Sequence, residues 1–117
     1  MKPATIYVRH RFVAFHAWPE ARGERAYLGE RHRHEFHVEV RARVMHDERD
    51  IEFHDLKDAL VRACPPHGLD LGGSSCETIG RTLLDKLDET WPGRILSVDV
   101  SEDGECGAVV ESSRVTL

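Results

Sequence analysis

The sequence lacks the features that mark a secreted, membrane-inserted or disulfide-stapled protein. It contains only three cysteines and no CxxC pair, which excludes a disulfide framework and favours reduced thiols. We expect Cys76 and Cys106 to be small, buried apolar residues rather than nucleophiles. No run of about 18 apolar residues occurs, and Met1–Ala4 lead into a polar, alternating segment rather than the apolar core of a signal peptide. The expected location is therefore the cytoplasm, without membrane contact.

An excess of positive charge is also lacking. The formal net charge is −5, from 16 Lys and Arg against 21 Asp and Glu, which gives no electrostatic basis for binding nucleic acid or an anionic membrane. Hydrophobic residues make up 40% and charged residues 32% of the 117 residues, which is typical of a globular rather than a disordered chain. This length favours one domain, spanning residues 1–117, with a single core.

The hydrophobic pattern predicts a mixture of strands and helices. Alternation predicts strands at residues 5–16, 32–46, 95–102 and 108–115, with a loop at residues 18–30. A helical period predicts one helix at residues 54–64, stopped by Pro65 and Pro66, and a second that ends near residue 89. Ser74 and Glu77 fit a capping box at the start of the second helix. The order strand, strand, helix, helix, strand, strand predicts an α+β fold.

Histidine is abundant, with eight residues, and three of these are placed to meet. His32 and His34 project from the same face of one predicted strand, about 7 Å apart, and His16 ends the preceding strand. If the two strands form a hairpin, three imidazoles converge and leave a fourth position open, as in catalytic zinc sites. An HxH pair alone is weak evidence, because such pairs are also common on strand surfaces.

Five segments spread over nearly the whole chain carry further motifs. They are Phe15–Pro19, His32–Val40, Ile51–Lys57, Ser74–Ile79 and Val98–Glu102. Together they resemble the 6-pyruvoyl-tetrahydropterin synthase and 6-carboxy-tetrahydropterin synthase family. This resemblance implies a tunnelling fold, in which the helices cover one face of an antiparallel sheet. It also implies a homo-oligomeric ring, a trimer or hexamer joined through sheet edges, with its sites at subunit interfaces.

The resemblance also implies roles for individual residues. The zinc ligands would be His16, His32 and His34. Glu102 would accept hydrogen bonds from the 2-amino and ring N–H groups of a pterin, although a surface glutamate at a strand end is an equally good interpretation of this position. Ser75 and Glu77, at the motif that opens the second helix, would be further substrate-binding residues.

The general acid and base groups of the family are missing from their usual places. Leu28 stands where the family has a catalytic cysteine, and prolines occupy the place of its Asp-His pair. Glu30, which lies close to the lost thiol, and His67 with Asp70, in the loop before the second helix, are the candidates to replace them. Glu30 as a solvated loop residue and His67 as a turn residue are the competing interpretations.

Three functions are compatible with this pattern. The first is a zinc-dependent lyase-like enzyme that acts on a reduced pterin or a related purine-derived heterocycle, with proton abstraction next to a developing carbonyl. The second is a non-catalytic, zinc-containing homologue that binds a pterin or purine. The third is a structural subunit of a ring, in which zinc has no catalytic role.

Overall fold

Two long strands form the centre of the sheet in the computed structural model, which describes residues 3–112. β1 (Ala4–His16) and β2 (His32–Val44) pair antiparallel over their whole length, with His16 directly opposite His32. Along both strands, side chains alternate between a buried apolar face and a more polar face. The apolar face includes Phe12 and Phe36, whose rings stack with centroids 5.4 Å apart. Both strands were predicted, because alternation over thirteen residues is a strong signal.

Three further strands complete a five-stranded sheet. β3 (Leu69–Asp70) pairs parallel with β1, β4 (Leu96–Glu102) pairs antiparallel with β2, and β5 (Cys106–Glu111) pairs antiparallel with β4. The order across the sheet is β3-β1-β2-β4-β5. The prediction of an entirely antiparallel sheet with four strands is therefore wrong in one detail. A two-residue strand has no alternation to detect, since only backbone hydrogen bonds with β1 define it.

The last strand is displaced from its predicted position. It begins at Cys106 rather than at residue 108 and ends at Glu111, and residues 113–115 of the prediction lie outside the described residues. The predicted turn at Asp103 and Gly104 is confirmed, and both residues have a left-handed backbone, with φ of 59° and 75°. Gly107 is required next to this turn, because a Cβ there would clash with the backbone carbonyl oxygen of Val100.

Two helices cover the apolar face of the sheet, as predicted. α1 (Phe53–Ala63) begins where the Glu52 side chain accepts a hydrogen bond from the His54 N–H. α2 (Cys76–Thr90) begins after Ser75, whose Oγ accepts a hydrogen bond from the Thr78 N–H at 3.1 Å. The helices bury Leu56, Ala59, Leu60 and Ala63 from α1, and Cys76, Ile79, Gly80, Leu83, Leu84 and Leu87 from α2. Within residues 3–112, no helix is long and apolar enough to cross a membrane.

The capping box predicted for the second helix is wrong by one position. Ser75 rather than Ser74 is the cap, so Glu77 lies one residue too early in the helix to reach back to the cap. The Ser74 N–H instead donates to the Leu71 carbonyl, and the Ser74 carbonyl accepts a hydrogen bond from a side chain of β1. The Ser74 backbone therefore makes hydrogen bonds to the loop and to β1, and the helix begins one residue later than predicted.

Candidate metal centre and adjoining cleft

The β1–β2 hairpin brings three histidines together at one end of the sheet. His16 ends β1 opposite His32, the first residue of β2, and His34 follows on the same face opposite Ala14. One ligand nitrogen from each imidazole lies within 4.8 Å of the other two. The ring centroids are 4.6, 5.2 and 4.9 Å apart in the three pairs. The convergence expected from the HxH spacing is therefore observed.

The Nδ1 atom of each imidazole is held by an oxygen atom. Carbonyl and carboxylate oxygens can only accept, so each Nδ1 carries the proton and each Nε2 of a neutral ring presents a lone pair. Such outer contacts fix the tautomer and the ring orientation of metal-binding histidines. The donor–acceptor distance is 2.8 Å in each case, for His16 Nδ1 with the Ser74 carbonyl, His32 Nδ1 with the Glu30 carbonyl and His34 Nδ1 with Asp103 Oδ2.

The Nε2 atoms of His16 and His34 are buried and have no hydrogen-bond partner among residues 3–112. His16 as a whole is 7% exposed. A buried polar atom without a partner costs about 1–3 kcal/mol, so a cation or hydrogen-bond donor bound to these atoms would stabilise the site. Three imidazole nitrogens of fixed tautomer suit zinc and related transition-metal ions. The three histidines therefore fit a metal ion, which they could hold through Nε2.

Glu102 reaches the same point from the neighbouring strand. It ends β4 directly opposite Phe36, on the apolar face, and its side chain is 33% exposed. Its Oε2 atom lies 3.2 Å from His16 Nε2, and its Oε1 atom lies 3.5 Å from His34 Nε2. The structure thus places this predicted substrate-binding residue beside the histidine nitrogens.

A cleft of about 330 Å³ opens next to the histidines. The three residues predicted to bind substrate, Ser75, Glu77 and Glu102, all line it, together with His16 and His32. Ser75 and Glu77 reach it because α2 begins there. Apolar groups complete the lining, including Leu28, from a 3-10 helix at Gly23–Gly29, and Trp18. The region predicted as a loop at residues 18–30 therefore contains a short helix that contributes to the cleft.

The three residues predicted to be catalytic do not line this cleft. The Glu30 side chain is exposed, and only its carbonyl contacts the centre, through His32. His67 is exposed at the edge of β1, where its Nδ1 accepts a hydrogen bond from the Val13 N–H at 3.0 Å. The catalytic role of Glu30 and His67 stays a prediction, because within a single chain neither residue lines the cleft beside the histidines.

Asp70 is engaged on the outward face of the sheet. Asp70 lies in β3, opposite Phe15 of β1. Its Oδ2 accepts a hydrogen bond from Arg31 Nε at 2.8 Å. The Gly72 N–H first and then the Arg31 side chain hold the pKa of Asp70 below its ordinary value. The guanidinium of Arg31 also lies 3.8 Å from the centroid of the Phe15 ring. This cluster faces away from the cleft because Phe15 alternates with His16 along the strand.

Two residues at this site have roles that the sequence did not reveal. Asp103, which the sequence marks only as a turn residue, holds His34, and the Glu35 N–H first and then His34 hold the pKa of Asp103 below its ordinary value. Cys106 lines the cleft and is exposed, so the prediction that it is buried is wrong. The prediction is confirmed for Cys76, because burial raises the pKa of that thiol to about 12.

Sheet order, helix placement and the three-histidine centre define an α+β protein with a candidate metal site at one end of its sheet. No protein-family model matches the sequence, and no curated protein matches it either. Solved structures of 6-pyruvoyl tetrahydropterin synthase do share the fold. The Plasmodium vivax structure superposes with a TM-score of 0.75 at 18% identity, covering 97% of this chain and 100% of that chain.

Two other structures of the same kind agree. The Plasmodium falciparum enzyme gives a TM-score of 0.70 at 18% identity, covering 94% of this chain and 98% of that chain. A variant of the Plasmodium vivax enzyme, in which a catalytic glutamate is replaced by alanine, gives 0.72 at 18% identity, with coverage of 97% and 100%. At such identities the likeness establishes a shared fold, and the predicted resemblance is confirmed at that level.

Proposed function

We propose that this chain is a cytoplasmic, zinc-dependent lyase, similar to 6-pyruvoyl- and 6-carboxy-tetrahydropterin synthases, that acts on a reduced pterin or a related purine-derived heterocycle. The observation that carries the proposal is the meeting of His16, His32 and His34 beside a cleft, where the buried Nε2 atoms of His16 and His34 have no hydrogen-bond partner among residues 3–112. The fold shared with solved pterin synthases supports it. The free thiols of all three cysteines accord with a reducing location.

The histidines would hold the ion, and their Nδ1 contacts would keep them in the metal-binding tautomer. Zinc bound there would polarise an oxygen of the substrate side chain and lower the pKa of a hydroxyl at that position. The Ser74 and Glu30 carbonyls and the Asp103 carboxylate supply this orientation before any substrate arrives.

The cleft suits a flat, polar-edged ring. Its volume of about 330 Å³ lies at the small end of ligand sites, which run from about 300 to 1,000 Å³. Trp18 and Leu28 offer apolar surface for the ring faces. Ser75, Glu77 and Glu102 offer acceptors for its edge, and a carboxylate that receives two N–H groups from a 2-amino heterocycle binds it directionally.

The proposed proton-transfer groups differ from those of the pterin synthase family. Leu28 has no proton to transfer, so Glu30 is the proposed base near the histidines. The catalytic glutamate of the Plasmodium vivax enzyme supports a carboxylate in this role. His67 and Asp70 lie along the β1 edge, where a neighbouring protomer of a ring would approach them. We therefore propose a homo-oligomer, a trimer or hexamer, in which these residues serve an interfacial site.

Turnover of a reduced pterin tests the proposal. Zinc-loaded protein incubated with dihydroneopterin triphosphate should release a product altered in the side chain and not in the ring, as followed by chromatography. Glu30→Gln should lower kcat by about 10²–10⁴, the usual contribution of a general base. Glu24→Gln, in the same 3-10 helix region and exposed, is the matched control and should keep full activity. Unchanged substrate after prolonged incubation would contradict an enzymatic role.

A non-catalytic binding protein is the second candidate. Leu28 in the cleft favours it, because an apolar residue there improves packing against a ring without moving a proton. Calorimetry would then show pterin binding by the zinc-loaded chain together with no turnover. A chain that binds no pterin at all would leave the structural subunit as the remaining function.

A further inference from the structure

The cleft beside the histidines is acidic. Glu77 and Glu102 line it, whereas none of the Lys or Arg side chains among residues 3–112 does so. The two carboxylates offset the charge of a divalent ion held by the histidines, so the filled site offers little net positive charge to an anion. A second depression, of about 610 Å³, is lined by two arginines and a lysine. Basic groups are therefore present on this surface but not in this cleft.

The arginines closest to the histidines along the chain lie on the other side of the sheet. Arg33 stands between two of the histidines on β2, and the alternation of the strand places it on the outward face, opposite Phe15. Arg31 is engaged on the same face, where its Nε donates to Asp70 at 2.8 Å and its guanidinium stacks on the Phe15 ring. Alternation therefore separates both guanidinium groups from a ligand held at the histidines.

The start of α2, which also borders the cleft, does not compensate for the missing cations. A helix N-terminus normally favours an anion, through its free N–H groups and the helix dipole. Here the Ser75 Oγ accepts a hydrogen bond from the Thr78 N–H at 3.1 Å, and Glu77 places a carboxylate in the first turn. Oxygen atoms of the protein therefore already serve this helix end, and Glu77 would repel a phosphate that approached it.

These charges restrict the class of substrate. Each phosphate ester adds roughly two negative charges near neutral pH, and proteins bind phosphate through Arg, Lys or free helix N-termini. We propose that the cleft selects an unphosphorylated heterocycle, whose side chain carries neutral hydroxyl groups, and discriminates against the phosphate esters of the same compound. This inference rests on the proposed function, because it defines the charge of the substrate of that site. A triphosphate ester is then a poorer substrate than the free alcohol.

Calorimetry with the zinc-loaded full chain tests the inference. Dihydroneopterin, its monophosphate and its triphosphate are titrated at low salt, and the zinc content is measured after each titration to show that the metal stays bound. Dihydroneopterin should bind at least about tenfold more tightly than the triphosphate, as expected for like charges a few ångström apart in a partly dry cleft. The monophosphate should lie between them. Raising the salt to about 0.5 M should narrow the difference, because salt screens a repulsion.

A pair of matched variants locates the repulsion. Glu77→Gln removes one negative charge from the cleft, and the ratio of the dihydroneopterin affinity to the triphosphate affinity should fall by at least about threefold. The ratio is the measured quantity because any lost contact with the ring affects both ligands alike. Glu89→Gln, exposed at the other end of α2, changes the net charge equally and should keep the wild-type ratio. An unchanged ratio in Glu77→Gln would overturn the electrostatic basis of the inference.

The outcomes distinguish this inference from the function above. If the triphosphate binds as tightly as dihydroneopterin or more tightly, and more weakly as salt is added, cations reach the site and the inference is overturned while a pterin-binding function stands. If neither compound binds, the inference and the pterin substrate of the proposed function fail together. If dihydroneopterin binds preferentially but is never converted, the inference is supported and only the enzymatic role fails.

Discussion

At the scale of single residues, the centre depends on the groups that hold the imidazoles. Asp103 makes two contacts at once, because its Oδ2 accepts from His34 Nδ1 and its Oδ1 accepts from the Glu35 N–H at 2.9 Å. Its backbone is left-handed, with φ of 59°, and its carboxylate lies next to His34 and Glu35 of β2. Asp103 therefore ties the turn after β4 to the ligand strand.

Asp103→Asn should weaken the metal centre. An amide can replace one accepted hydrogen bond, but its NH₂ group cannot accept from His34, so the ring loses its orientation or its tautomer. We expect Zn²⁺ affinity to fall by about 10- to 100-fold, measured by chelator competition. Asp99→Asn, an exposed change on the same strand, is the control and should bind as wild type. Equal affinity of the two variants would show that Asp103 serves only the turn.

At the scale of elements, sequence and structure agree where a pattern is long and differ where it is short. The long strands and the buried faces of both helices follow from periodicity alone. β3 was not predictable, because two residues joined to β1 by backbone hydrogen bonds have no side-chain signature. Likewise, the HxH spacing predicted the histidine centre, whereas the places of Glu102 and Asp103 depend on the register of β4 against β2. That register is a tertiary property.

The packing of α2 on the sheet gives a test at this scale. A Cβ at Gly80 would lie 2.9 Å from Val110 Cγ2, so the helix approaches β5 through a position without a side chain. Gly80→Ala should gain about 1 kcal/mol in helix propensity but lose about 1–3 kcal/mol to overpacking against a stiff valine. A net loss of stability is expected in urea unfolding.

Removing the Val110 methyl groups provides the control for that change. In the double variant Gly80→Ala with Val110→Ala, the clash is relieved and the helix propensity is kept. The double variant should therefore be more stable than the sum of the two single changes predicts. Strict additivity would mean that the close approach of α2 to β5 does not limit the residue at position 80.

The connection between β2 and α1 predicts a pH dependence of stability. Asp50 accepts from the Met45 N–H at 2.8 Å and forms an ion pair with Arg94, which precedes β4. The Met45 N–H first, and then Arg94, hold the pKa of Asp50 below its ordinary value. Because the pKa of Asp50 is lower in the folded state than in the unfolded state, its ionised carboxylate stabilises the folded protein at pH values above the unfolded pKa of about 4. That stabilisation is lost as the pH falls further.

Asp50→Asn should therefore lose stability mainly at neutral pH. Urea unfolding at a series of values from pH 7 to about pH 3 is expected to show that the gap between wild type and variant narrows below about pH 4. Asp85→Asn, an exposed change on α2, should run parallel to wild type across the range. A constant gap for Asp50→Asn would mean that its carboxylate does not contribute through its charge.

At the scale of the whole molecule, the open edges of the sheet favour assembly. β5 ends one side of the sheet, and on the other side β3 covers only the end of β1, so most of that edge has no strand partner among residues 3–112. Exposed edges of this length are normally paired or protected. Analytical ultracentrifugation should give a mass three or six times that of the chain. A monomer at micromolar concentration would contradict the interfacial site proposed for His67 and Asp70.

Zinc stoichiometry is the most direct test of the central claim, that His16, His32 and His34 form a metal centre. Elemental analysis of protein purified without chelator should find about one zinc per chain. A His32→Ala, His34→Ala double variant with native circular dichroism should contain none. Native wild-type protein without metal, or a double variant that keeps its zinc, would contradict the account.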